Sequence, residues 1–202
     1  MATKTSLINK ALTLIGATPI TSIDDDTQNA KVVNRVWDTS LRSILSECMW
    51  NFATTRQLLA TSADTLPWYH SGCTVVYVRP SDVIRIFDTN DEDATWYEEG
   101  DYIVSDTTGL GVRYVKFTDT VSKFPSSFVE ALVDRLCADA AFMILNSAKI
   151  AEAYLKKYET VSLPKARSEN AQIGKQQFVK DDAWCAAKYT GASARPDLSY
   201  GS

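Results

Sequence analysis

The chain has 202 residues, a formal net charge of −4 and a hydrophobic fraction of 45%. This length fits one compact domain, or one domain with a sizeable insertion, and the composition argues against wholesale disorder. The acidic balance argues against a dedicated DNA-binding domain, which needs clustered Lys and Arg side chains to displace counterions from phosphates. It remains compatible with DNA that slides past a mildly acidic wall.

The N-terminus has no long apolar run, and no stretch reaches the ~20 apolar residues of a membrane span, so we expect neither a signal peptide nor a membrane segment. The chain has a single histidine, His70, and its four widely spaced cysteines form no CxxC pair. No usual zinc motif can therefore be written. We expect no metal and no cofactor, and reduced thiols in a protein folded in the cytosol. The cysteines are Cys48, Cys73, Cys137 and Cys185.

Helical periodicity occupies the first fifty residues. Apolar residues at helical spacing predict a first helix over about residues 6–15, capped by Thr5 or Ser6 and ended by Gly16. A longer second helix is predicted to begin after Asp26 or Thr27 and to reach about residue 49. Its one apolar and one charged face predict that it packs on a core.

The period shortens between about residues 55 and 119, where β-branched and aromatic residues alternate with turn residues. This alternating pattern predicts one small antiparallel sheet of about four or five strands. Helical period returns at Pro125, which suits the first turn of a third helix. That helix is apolar over a wide arc, which includes Met143, so we expect it to be the most buried.

A fourth helix is predicted to begin near Ala148 after a break at Asn146 and Ser147, and Pro164 should kink or interrupt it. The predicted fold is α+β: a four-helix bundle of two helical hairpins, an inserted small antiparallel β-sheet and an extended C-terminal tail. We assign residues 1–53 and 123–178 to the bundle, 54–122 to the inserted β-domain and 179–202 to the tail.

Four local patterns occur in a characteristic order. The first helix ends in Ala11-Leu12-x-x-Ile15-Gly16-Ala17, followed by Pro19-Ile20-Thr21-Ser22-Ile23-Asp24-Asp25. The second helix closes on Trp50-Asn51-Phe52-Ala53-Thr54-Thr55-Arg56, and the sheet contains Tyr77-x-x-Pro80-x-Asp82-x-x-Arg85-Ile86. The third helix opens with Pro125-x-x-Phe128-Val129-Glu130-Ala131-Leu132, and Arg135-Leu136 follows.

Together these patterns, over about residues 6–171, resemble the phage tail tubular protein A family, the head–tail adaptors of short-tailed bacteriophages. Two positions depart from the pattern: Arg79 stands before Pro80 where an apolar residue is expected, and Pro164 falls in a helix expected to continue unbroken.

The resemblance implies a structural virion protein that is not an enzyme. It implies a homo-oligomeric ring of twelve subunits that joins the portal protein to the tail nozzle protein, with tail-fibre attachment at its rim. DNA would pass through the centre without sequence-specific binding, as part of the ejection channel. The protein would lie in the portal-proximal part of the virion tail after assembly in the host cytoplasm.

Several residues are candidates for function. Trp50 and Phe52 should wedge between bundle and sheet, with Asn51 bonding free backbone groups, which is a structural role. Arginines in the sheet and the third helix could line a DNA channel, but ion pairing between strands or subunits is the favoured interpretation. Aromatic residues of the tail could anchor in a partner. The arginines are Arg85, Arg113 and Arg135, and the tail aromatics are Trp184, Tyr189 and Tyr200.

Two other function classes stay open: a monomeric protein-interaction module, and a small hydrolase that uses His70. Any Ser/His/Asp or Cys/His site must use this histidine. Its closeness in sequence to Cys73 is poor evidence, because catalytic groups meet in space. The acidic runs at 24–26 and 91–93 lack the calcium-loop pattern, so we interpret them as a helix cap and a solvated turn.

Overall fold

A computed structural model describes residues 3–69 and 72–173. Over these residues the chain has an α+β fold of four helices and two small antiparallel three-stranded sheets. The predicted fold class is therefore confirmed. His70 and the tail aromatics Trp184, Tyr189 and Tyr200 lie outside the described residues. The predicted limits of the bundle, the β-domain and the tail stay predictions.

Helix α1 (Lys4–Ile15) begins two residues earlier than its apolar periodicity predicts. Thr3 is the N-cap, because its side chain accepts from the Ser6 backbone N–H while the Ser6 hydroxyl accepts from the Thr3 backbone N–H. This reciprocal capping box satisfies two free donors of the first turn. Gly16 ends the helix in the left-handed conformation, at φ 80°.

Helix α2 (Gln28–Ser46) is capped by Thr27, whose hydroxyl accepts from the Ala30 backbone N–H. Asp26 forms an ion pair with Lys31 instead. The preceding Asp25 accepts from the backbone N–H groups of Thr21 and Ser22, so it stabilises the loop rather than the helix. The helix ends three residues before the predicted position at Met49.

Helix α3 (Ser126–Leu145) is the central element of the bundle and packs against α1, α2 and the fourth helix. Pro125 stands at its N-cap rather than in its first turn, and Asn146 ends it in the left-handed conformation. Its buried face confirms that it is the most enclosed helix. The prediction was wrong at its last turn, where Met143 is exposed.

The fourth helix continues past Pro164, but its α-helical hydrogen bonding is interrupted by a π turn just before that residue. Helix α4 (Ala148–Lys157) runs into a π-helical turn (Tyr158–Ser162) and then into α5 (Leu163–Gln172). In the π turn the Leu163 N–H donates to the Tyr158 carbonyl, five residues back. This wider turn makes room for the Pro164 ring, which would clash with a carbonyl in a regular helix.

The strands form two sheets instead of the single predicted sheet. One has the order β1 (Thr54–Leu58), β6 (Gly111–Lys116), β3 (Val83–Thr89); the other has β2 (Val75–Val78), β5 (Tyr102–Ser105), β4 (Trp96–Glu99). The segment after β1 links them, because Leu59 pairs with Leu110 while Ser62 and Ala60 pair with β2. One strand path therefore leaves the first sheet and joins the second.

Two apolar cores result from this arrangement. The larger core unites the helices with Trp50, Ala53 and Val115, so it extends from the bundle onto the base of the first sheet. The smaller core lies between the sheets and contains Tyr77 and Tyr114. Along β6, Val112 and Tyr114 face this smaller core, while Arg113 faces away from it. This alternation places Arg113 on the face opposite the smaller core, the same face on which Val115 joins the larger core.

Candidate functional site

The segment between α2 and β1 is fixed by a cluster of aromatic rings. Trp50 is buried and donates its indole N–H to the Ile44 carbonyl at 2.8 Å. Its ring contacts Phe128 edge-on at 4.9 Å, and Phe52 contacts Phe128 at 4.7 Å and Phe124 at 5.3 Å. These contacts join the end of α2 to the start of α3. The cluster is built for packing, and it presents no reactive group.

Asn51 lies on the other side of the same segment, where it meets the end of α5. Its backbone N–H donates to the Asn170 side-chain oxygen at 2.9 Å, and its side-chain amide donates to the Asn170 carbonyl at 2.8 Å. The Asn170 amide donates in turn to the Met49 carbonyl at 2.8 Å. Asn51 thus bonds backbone groups of the last helix. Nothing in the sequence singled out Asn170, because a contact over this chain distance has no local pattern.

Two of the three candidate arginines, Arg85 and Arg113, lie on paired strands of the first sheet, and Arg135 lies on α3. Arg113 on β6 pairs with Asp88 on β3 at 2.8 Å, and Arg135 on α3 pairs with Asp139 one turn later at 3.0 Å. Arg85 is exposed, stacks over the Phe87 ring and donates to the Ser46 carbonyl at 3.2 Å. Each arginine therefore has partners inside its own chain. Arg135 lies on a different element from the two arginines of the sheet.

An open cleft of about 430 Å³ is lined by residues of all three strands of the first sheet. Arg56 on β1 and Arg113 on β6 are direct cross-strand partners in its wall. Leu58, two residues after Arg56, is 68% exposed beside them. Arg113 could be predicted as a candidate from the sequence, but Arg56 and Leu58 could not, because periodicity does not give the pairing register of two distant strands.

A buried carboxylate holds the π turn to the central helix. Asp134 on α3 is only 3% exposed, and it accepts from the Lys157 ammonium at 2.8 Å and from the Ser162 hydroxyl. The hydrogen bond to Asp134 raises the pKa of Lys157 above its usual value. Both charges are thereby paired, which a buried carboxylate requires. The group is already saturated by protein partners, so we assign it a structural role.

The described cysteines are free and unreactive in character. Burial raises the pKa of the Cys48 thiol to about 11 and that of Cys137 to about 12. Burial likewise raises the pKa of Cys73. A nucleophilic cysteine needs the opposite shift. Cys185 lies outside the described residues.

Acidic residues do not assemble into a metal site in the described ranges, where no group of three or more potential ligands is found. In the 91–93 turn, Asp91 accepts from the Asp93 backbone N–H, and its carbonyl accepts from the Thr89 hydroxyl. These contacts are those of a turn. The hydrolase hypothesis on His70 falls on a residue that the structure does not describe.

Large apolar side chains are exposed at the end of the α3–α4 hairpin. Phe142 is 57% exposed and Met143 51% exposed in the last turn of α3, and Ile144, Leu145 and Ile150 beside them are only partly covered. We call these five residues the hairpin tip. Ile144, Leu145 and Ile150 also pack against the larger core, so Phe142 and Met143 form the exposed part of the hairpin tip. Exposed apolar side chains that lie together mark an interaction site more often than scattered ones do.

No protein-family model matches the chain, and the search of curated proteins gives no match. None of the helices in residues 3–69 and 72–173 combines the length and apolar character that a membrane crossing requires.

Proposed function

We propose that this chain is a structural virion protein, a head-to-tail adaptor whose copies form a ring between the portal protein and the tail nozzle protein. The proposal takes up the resemblance of residues 6–171 to the phage tail tubular protein A family. In this proposal the ring surrounds part of the DNA ejection channel and lies in the portal-proximal tail of the virion. DNA passes through it without sequence-specific binding, and tail fibres attach at its rim.

The observation that supports assembly best is the hairpin tip. Phe142 and Met143 are exposed in the last turn of α3, while the other three residues of the tip pack partly against the larger core. Phe and Met are enriched in the cores of protein interfaces relative to the rest of the protein surface. A neighbouring copy that covered Phe142 and Met143 would remove their apolar surface from water. Burial of apolar surface is favourable, so it would stabilise an oligomer.

The test is native mass spectrometry and electron microscopy of the full chain, alone and mixed with the portal protein. We expect closed rings on the portal for the natural chain. Met143→Glu should weaken assembly by tenfold or more, roughly the effect of a central interface residue. Val161→Glu is the matched control, because Val161 is 56% exposed in the π turn of the same helical hairpin.

Circular dichroism should show that both variants stay folded, since both residues are exposed. A natural chain that remains monomeric with the portal present contradicts the adaptor and favours a monomeric interaction module. Equal assembly of the two variants would remove the hairpin tip as the supporting observation.

A further inference from the structure

The cleft on the first sheet carries an unbalanced positive charge. Two guanidinium groups, Arg56 and Arg113, stand directly opposite each other on neighbouring antiparallel strands. Like charges at such positions are destabilising unless something compensates them. Asp88 is the single carboxylate among the residues that line the cleft, which leaves two positive charges against one negative charge. One further negative charge would balance the site.

The hydrogen-bonding capacity of the two arginines is also unused. Asp88 binds one terminal nitrogen of Arg113, but the Arg113 Nε is buried and has no hydrogen-bond partner in the structure. Arg56 has no ion pair or hydrogen bond within the described residues. Because the Arg113 Nε is buried, an incoming anion would meet the terminal nitrogens of the two guanidinium groups, which present paired donors that match two oxygens of one anion. The site is therefore prepared for an oxyanion.

The surroundings favour a protein carboxylate over a nucleic-acid phosphate. Leu58 places an exposed apolar side chain beside Arg56, and an apolar neighbour next to an arginine is typical of protein interfaces. The chain has 25 acidic against 21 basic residues, so its own surface offers many carboxylates and repels DNA as a whole. The best-matched partner is another copy of the same acidic chain.

We propose that the cleft between Arg56 and Arg113 binds an aspartate or glutamate side chain of a neighbouring copy of this chain. The inference rests on the proposed function, because it assumes that the chain assembles with itself, and it assigns one contact of that assembly. The carboxylate accepts from both guanidinium groups and lies against Leu58. With Asp88, this carboxylate gives two negative charges against the two positive charges of Arg56 and Arg113.

The test is zero-length cross-linking of the assembled full chain. Arg56→Lys keeps the positive charge and supplies an amine, which a carbodiimide joins to a contacting carboxylate as an amide. Mixing nitrogen-15-labelled and unlabelled copies before assembly separates bonds between subunits from bonds within one. We expect mixed-isotope peptides that contain position 56 and an acidic residue. Arg35→Lys, at an exposed position on α2, is the control and should give no such peptide.

A second pair of variants measures the contribution to assembly. Arg56→Glu should weaken self-association at least about tenfold, because it removes one charge partner and adds repulsion, and the difference should shrink at high salt. Arg35→Glu carries the same charge change and should assemble normally. Thermal melts should be unchanged for both variants.

The outcomes separate the two proposals. Rings that form without any intersubunit cross-link at position 56, and with equal assembly of both glutamate variants, overturn the cleft assignment and leave the adaptor intact. Normal assembly of Arg56→Glu with lost retention on DNA would make the cleft a phosphate contact. A natural chain that never associates, even with the portal present, overturns both.

Discussion

Tyr77 and Tyr158 are both buried, but their hydroxyl groups have opposite surroundings. The Tyr77 hydroxyl donates to the Thr107 carbonyl at 2.7 Å and accepts from the Leu110 N–H at 3.2 Å. The Tyr158 hydroxyl is buried without a hydrogen-bond partner, and burial raises its pKa to about 12. One hydroxyl therefore holds the smaller core together, while the other carries an uncompensated desolvation cost.

We predict that Tyr77→Phe lowers the free energy of unfolding by about 1–3 kcal/mol, because it leaves two backbone groups unpaired. Tyr158→Phe removes only an unpaired hydroxyl, so it should be neutral or stabilising, within about 1 kcal/mol. Urea denaturation of the two variants and the natural chain measures both effects. Equal losses would mean that the Tyr158 hydroxyl has a partner such as an ordered water.

At the scale of single elements, α3 is the helix that packs against all the others in the bundle. Leu136 is 1% exposed in the middle of this helix. We expect Leu136→Ala to cost roughly 2–5 kcal/mol, through lost burial and the cavity left behind. This is a large part of the ~5–15 kcal/mol that a domain of this size possesses. Thermal and urea unfolding would measure the loss, and an unchanged midpoint would place the bundle core elsewhere.

The sequence predicts long, periodic helices well, because their apolar stripes and end residues are local features. The end of α3 at Asn146 and the start of α4 at Ala148 agree with the structure. The start of α1 was missed because Thr3 and Ser6 form their capping box before the apolar stripe begins. Pro164 was expected to kink or interrupt its helix, and the structure has a π turn just before this residue. The periodicity of the sequence does not show where a π turn will form.

The sheet could be predicted in type but not in arrangement. Alternation indicates strands, yet pairing depends on contacts between residues far apart in the chain, such as Arg56 with Arg113. The candidate sites divide in the same way. Trp50 and Phe52 were found from their place between elements, whereas the cleft and the Asn51–Asn170 contact required the folded structure.

At the scale of the whole molecule, buried titratable groups make stability depend on alkaline pH. The pKa of Cys48 rises from 9.0 to about 11, that of Cys137 from 9.0 to about 12, and that of Tyr114 from 10.0 to about 12. Burial is the main cause for each. Between the unfolded and folded pKa values, the folded chain retains protons that the unfolded chain has released.

Stability should therefore fall as the pH rises above about 9, since the unfolded state then binds fewer protons than the folded state. The raised pKa of Lys157 acts in the same direction at higher pH, because its ion pair with Asp134 is lost when the ammonium deprotonates. Urea midpoints at about pH 8 and pH 10.5 measure the effect. Stability that is constant or rising over this interval would contradict the burial of these groups.

The pairing of Thr54 with Val115 has a consequence for the order of folding. The two helical halves of the bundle are separated in the chain by the whole inserted segment. Closing so long a loop lowers the conformational entropy of the chain before any contact between the halves can offset that cost. Once β1 and β6 pair, the end of α2 and the start of α3 are close together. The two helices then need only small movements to pack against each other. We therefore expect the formation of this strand pair to limit how fast the bundle closes, as in other topologies dominated by distant contacts.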